Sequence, residues 1–200
     1  MKRLCFAVLC ALAGAAAHAA PVTLLPGATN LTMPVLNFVG AGPQNLAPGV
    51  DWSSASSNSV FGYGDPYGFA DNGGWSGLAM AGTNDQSSAM TLAFSQAVAG
   101  VGAFFNYSPL YYGPATIAVY DATHTLIEST TLSFTTNGGQ NQGEFHGFLE
   151  NAPSISFLTM SGAYIGATGF AVQAVPEPET YAMLLTGLGL LGVAARRRKA

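Results

Sequence analysis

From Met90 to Gln173 the chain consists of short runs rich in β-branched and aromatic residues, cut at close intervals by Gly, Pro, Asn and Ser. The runs are Met90 to Phe94, Val101 to Tyr107, Thr116 to Asp121, Leu126 to Phe134, Glu144 to Leu149, Ser154 to Met160 and Gly169 to Gln173. Helical periodicity is hard to find between them, and the spacing suits antiparallel strands joined by tight connections. No crossover helix is needed, which argues against a parallel α/β sheet. The expected fold class is therefore all-β, an antiparallel β-sandwich. In Ile117-Ala118-Val119-Tyr120 the larger β-branched residues alternate, so Ile117 and Val119 are expected to face inward. Asp121-Ala122-Thr123-His124 reads as a polar turn, and the stretch from Thr136 to Gly143 as an exposed loop.

The first half is less regular. Between Gly40 and Asn84 the chain is dense in Gly, Ser, Asn and aromatic residues. Disordered segments are poor in aromatics, so this stretch is expected to form loops packed over one end of the sandwich. No internal repeat of fixed period is present.

Charge limits what such a domain does. All six basic residues (Lys2, Arg3, Arg196, Arg197, Arg198, Lys199) lie at the two ends, whereas eight of the ten acids fall between Asp51 and Glu150. An acidic surface without Lys or Arg repels a polyanion, which excludes nucleic acid as a partner and removes any phosphate clamp built on a basic side chain.

The ends read as addresses. Residues 1–19 give a basic start, an apolar run from Leu4 to Ala17, and small residues at Ala17 and Ala19 around His18. This is the layout of a secretory signal helix. Cleavage by signal peptidase is expected after Ala19, with Ala20 as the second choice. Both cysteines, Cys5 and Cys10, fall inside this segment, so the exported domain of residues 20–175 has neither a disulfide nor a thiol nucleophile. Its stability must come from its core.

Residues 176–200 place a proline-acid motif (Pro176, Glu177, Pro178) before an uncharged stretch from Thr180 to Ala195 and then a block of positive charge. Sixteen helical residues span about 24 Å, a little short of the roughly 30 Å hydrocarbon core, and snorkelling arginine stems extend that reach. One transmembrane helix is expected here. Arg196, Arg197, Arg198 and Lys199 would stay cytoplasmic, and everything N-terminal to the span would lie outside. Gly187-Leu188-Gly189-Leu190-Leu191-Gly192 fits a dinucleotide-binding pattern by letter alone, because the chain ends eight residues later.

Motif, apolar span and terminal arginines together resemble the PEP-CTERM sorting signal. That resemblance implies an exported bacterial protein, anchored transiently in the inner membrane. An exosortase, an integral-membrane cysteine transpeptidase, then recognises and cuts the tail near the proline-acid motif. The implied destination is the cell surface or an exopolysaccharide matrix. A second resemblance rests on Val98-Ala99-Gly100-Val101-Gly102-Ala103-Phe104-Phe105, Ile117 to Asp121, Phe148 and Ile155-Ser156-Phe157. Residues 89–173 are similar to the jelly-roll domains found upstream of such tails, some relatives of which bind carbohydrate.

Chemistry is sparse in the domain. His124 and His146 are its only histidines, and two histidines without cysteine do not make a dedicated zinc site. Gly74-Trp75-Ser76-Gly77-Leu78 misses the nucleophile elbow at its last position. Glu128, Glu144 and Glu150 lack spacing that demands a glycosidase pair. No cofactor is expected, although Asp65, Asp71, Asn72, Asn84 and Asp85 offer the oxygen chemistry of calcium without an EF-hand order. Trp52, Tyr63, Tyr67, Trp75, Tyr111 and Tyr112 lie in loop-like stretches, and Trp52 and Trp75 are the candidates for stacking on a sugar ring. The reading is a non-catalytic structural or interaction module of the surface or biofilm matrix. A carbohydrate-binding module for exopolysaccharide is the alternative, and a secreted hydrolase comes third.

Overall fold

The computed structural model describes residues 19–173 and Thr186. Ala17, the expected signal helix, the sorting motif Pro176–Pro178, the transmembrane span and the Arg196–Lys199 block lie outside the described residues. Among the described residues no helix is long and apolar enough to cross a membrane.

The first half contributes β1 (Ala20–Val22), β2 (Thr29–Asn30), β3 (Phe38–Val39), β4 (Gln44–Ala47), β5 (Val50–Ser54), β6 (Val60–Tyr63), β7 (Tyr67–Gly68), β8 (Gly74–Trp75) and β9 (Met80–Gly82). The second contributes β10 (Ala89–Val98), β11 (Gly100–Asn106), β12 (Ala115–Tyr120), β13 (Leu126–Leu132), β14 (Glu144–Leu149), β15 (Ile155–Ser161) and β16 (Gly166–Gln173). Sheet A runs β1-β14-β11-β16-β9-β6-β3, with β2 also paired to β16. Sheet B runs β13-β12-β15-β10-β5-β4, and β7-β8 form a separate ribbon. All pairings between these strands are antiparallel.

Period-two alternation explains the stacking of the sheets. Met90, Leu92 and Phe94 of β10, Ile117 and Val119 of β12, and Leu158 and Met160 of β15 point from sheet B into one buried cluster. Val101, Ala103 and Phe105 of β11 and Phe148 of β14 meet them from sheet A. Burying each large side chain stabilises by about 1.5–3 kcal/mol, and the domain has no disulfide to add to that.

Two expectations are corrected here. The segment from Gly40 to Asn84 is not a cap of loops: it supplies β4 and β5 to one edge of sheet B and β6 and β9 to sheet A. Trp52 is no surface platform. On β5 it is fully buried, its ring packed between Phe38 and Phe61, with Nε1 donating to Met90 Sδ at 3.4 Å. The cause is the alternation of Val50 and Trp52, both buried, with exposed Asp51 and Ser53.

One register row orients the molecule. Ala20, Leu149, Gly100 and Gln173 lie side by side across β1, β14, β11 and β16. The chain thus enters β1 and leaves β16 at the same end of sheet A.

Candidate functional site

A cleft of about 620 Å³ opens on the outer face of sheet A. Its floor is Phe104 of β11. Because Phe105 beside it faces the core, alternation turns Phe104 outward, where it is 48% exposed. In register it lies between Phe145 and Thr168, and Phe145 meets it edge-on at 5.5 Å. Gly169, at φ 57°, lies under the ring; an added Cβ would come within 3.2 Å of Phe104 Cδ2. A bare backbone there leaves the Phe104 ring its place.

The far wall is Trp75 of β8 together with Leu78. Trp75 is only 2% exposed, so it closes the cleft rather than offering a free stacking face. Its Nε1 donates to the Gln142 carbonyl at 2.5 Å, and Phe69 packs against it edge-on at 4.9 Å.

The rim is the loop of residues 135–143, exposed as expected and fastened at both ends. At one end the Thr136 N–H donates to Asn72 Oδ1 at 2.6 Å and its hydroxyl to the Asn72 carbonyl at 2.7 Å. At the other, Asn141 Oδ1 accepts from the Ser76 N–H at 2.9 Å while its Nδ2 donates to the Ser76 carbonyl at 3.1 Å. Asn72 is itself buried. Its Nδ2 donates to Asn106 Oδ1 at 2.7 Å and to the Tyr107 carbonyl at 3.1 Å, and Asn106 Nδ2 donates onward to the Gln142 carbonyl at 3.1 Å.

Glu144 supplies the one carboxylate of the lining. Its Oε2 lies 3.3 Å from His146 Nε2, and the imidazole stacks on Phe134 with rings 14° from parallel. Burial, and after it the Glu144 charge, pushes the Tyr107 phenol above its ordinary value. The phenol therefore stays protonated and shares its hydrogen between the Leu132 and Phe134 carbonyls at 2.8 and 2.9 Å.

The remaining sequence candidates scatter. Asn72 is a structural amide. Asp85 accepts from the N–H groups of Ser87 and Ser88 at 2.9 and 3.2 Å, and Asn84 donates its N–H to the Tyr67 hydroxyl. Among the described residues no group of three or more His, Cys, Asp or Glu side chains is placed to hold a metal ion. Tyr67 is buried, and burial raises its phenol far above the ordinary value. Tyr111 and Tyr112 sit in a single exposed helical turn, Pro109–Tyr112. His124 lies on sheet B against Phe157, and Glu144 and Glu150 are six residues apart on one extended segment, about 20 Å. That exceeds the separation of a glycosidase pair. Phe104 was missed by sequence reasoning, though the signal existed: of two adjacent phenylalanines in a strand, one must face out.

Comparison with solved structures gives two partial likenesses. One is the "Lectin Domain of Lectinolysin complexed with Lewis B Antigen", at 4% identity and a TM-score of 0.33, covering 50% of this chain and 73% of that one. The other is "Truncated AlyQ with CBM32 and alginate lyase domains", at 13% identity and a TM-score of 0.31, covering 47% of this chain and 26% of that one. A comparison with curated proteins returns no match. At the C-terminus the result is specific: residues 174–199 match the PEP-CTERM protein-sorting motif, so the chain is a PEP-CTERM motif-bearing protein.

Proposed function

We propose that this protein is a non-catalytic interaction module of the bacterial surface or exopolysaccharide matrix, and that the Phe104 cleft is its working surface, taking a neutral saccharide. The PEP-CTERM motif marks an exported protein sorted by an exosortase, with signal peptidase acting at the other end. The observation that carries the ligand reading is the exposed ring of Phe104, set in a cleft rimmed by Asn141, Gln142, Thr168 and Glu144. An apolar face with a few convergent amide, hydroxyl and carboxylate groups is the chemistry that holds a polyhydroxylated ring. With no lysine or arginine between Arg3 and Arg196, the domain has no such cation to pair with uronate, sulfate or phosphate groups, which disfavours anionic sugars.

The test is binding of the exported protein to neutral and anionic polysaccharides, wild type against Phe104→Ala. Loss of at least tenfold in affinity for a neutral polymer is the expected result. Unchanged binding in Phe104→Ala, or preference for the anionic polymer, overturns the assignment of the cleft.

A further inference from the structure

On the outer face of sheet B, strands β10, β12 and β15 carry no formal charge, while the adjacent β5 presents Asp51. Alternation turns outward Ala89, Thr91 and Ala93 on β10, Thr116, Ala118 and Tyr120 on β12, and Phe157, Thr159 and Ser161 on β15. Thr, Tyr and Phe are common on a pleated face, and Phe157 and Tyr120 are half-buried there. Within it lies a basin of about 350 Å³. Tyr120, Phe157, Ala93 and, at the β5 end, Asp51 share one register row, and the small Ala93 leaves a hollow beside the Phe157 ring. In the next row Thr159, Thr91 and Ser53 set three hydroxyls side by side, with the two threonine oxygens 3.4 Å apart.

His124 closes the basin. It sits at φ 60°, in a turn where Asp121 Oδ1 accepts from the N–H groups of Thr123 and Thr125 at 2.8 and 2.9 Å. That turn lays the imidazole on Phe157 at 4.2 Å, 26° from parallel. The wall is therefore pre-organised, which lowers the ordering cost of binding.

We propose that this basin is a second site for a neutral saccharide and that the protein, with sites on opposite faces of the sandwich, bridges two polysaccharide chains. The bridging rests on the Phe104 cleft being the first site. Two linked sites on one long polymer raise avidity without any new contact, on the order of 10²-fold.

The experiment uses the exported protein with soluble neutral polysaccharides (a β-glucan, a mannan and a galactan), reading stoichiometry by calorimetry and cross-linking by light scattering. The variants are Phe104→Ala and the double Thr91→Val, Thr159→Val, which removes both hydroxyls while keeping β-branched strand residues. Two sites per wild-type chain, one site in each variant, and loss of cross-linking in both is the expected outcome. One site in wild type that the threonine variant leaves intact overturns the second basin while sparing the cleft. Binding lost in the threonine variant yet kept in Phe104→Ala overturns the cleft and the bridging together. Dimerisation without polysaccharide that the threonine variant abolishes makes the basin a contact between copies and overturns it as a sugar site. No binding of any neutral polymer refutes both readings.

Discussion

Replacing Asn72 by Ala tests how the cleft is held. The side chain makes three hydrogen bonds, to Asn106 Oδ1, the Tyr107 carbonyl and the Thr136 N–H, all within 3.1 Å. Each is worth about 1 kcal/mol net, and an orphaned buried donor adds about 1–2 kcal/mol. Asn106 Oδ1 keeps a donor in the Tyr107 N–H at 2.8 Å, so the Thr136 N–H and the Tyr107 carbonyl are the groups that lose their partner. The expected loss is about 3–5 kcal/mol. For a domain of this size that lowers Tm by about 6–20 °C, measured by thermal unfolding monitored by tryptophan fluorescence. Hydrogen exchange should rise first in residues 135–143, because that loop loses its anchor. Asn72→Asp gives a second reading: the carboxylate still accepts from Thr136 but loses both donations and brings charge against two oxygens. It should destabilise at least as much as Ala. A calcium ligand would respond the opposite way, tolerating Asp and gaining stability from added calcium. Wild-type stability in either variant, or a calcium-stabilised Asn72→Asp, would refute the network.

Trp52→Ala removes a fully buried ring and should cost about 3–5 kcal/mol, read from the denaturation midpoint at unchanged m-value. Phe104→Ala, by contrast, should move Tm by no more than a few degrees while removing saccharide binding at the cleft and leaving that of the sheet B basin, which separates the site from the fold. Gly73→Ala should destabilise and loosen the rim, because Gly73 sits at φ 87° and an added Cβ would run into the Gly139 carbonyl; limited proteolysis of residues 135–143 reports it. Hydrogen bonds from Ser87 to Asp85, and from Thr123 and Thr125 to Asp121, hold both carboxyls below the ordinary 3.8. Lowered folded-state values mean this stability is fully present above that range and is lost as pH falls through the folded values. Tm should therefore drop below about pH 4, and the double Asp85→Asn, Asp121→Asn should flatten that acid limb.

The strands of the second half were legible because each is an uninterrupted run with turn residues at both ends; Glu144 to Leu149 matches β14 to the residue. The first half hid its strands under Ser and Gly. In Val50-Asp51-Trp52-Ser53-Ser54 the period-two signal is present, yet a tryptophan among serines reads as a surface aromatic until its partner strand is known. Trp75 misled in the same way, its burial arising from Phe69 and from Gln142 across 67 positions of sequence. Asn72 and Thr136 are 64 positions apart, and no local pattern marks such a pair. Long-range polar networks are fixed by topology, which is why the rim loop was readable and its anchor was not.

The placement of the cleft along sheet A has a consequence for export. The chain leaves the sheet at Gln173, in the row of Ala20, Leu149 and Gly100, and the sorting motif begins at the next residue. Glu144 and Phe105 pair at the opposite end of β14 and β11, five residues or about 17 Å from that row, and the cleft lies there. The cleft and the strand end that precedes the motif thus lie at opposite ends of sheet A. If the cleft is the binding site, Phe104→Ala should leave sorting unchanged, and deletion of the 174–199 motif should leave saccharide binding unchanged; a variant of either kind that loses both would refute the separation.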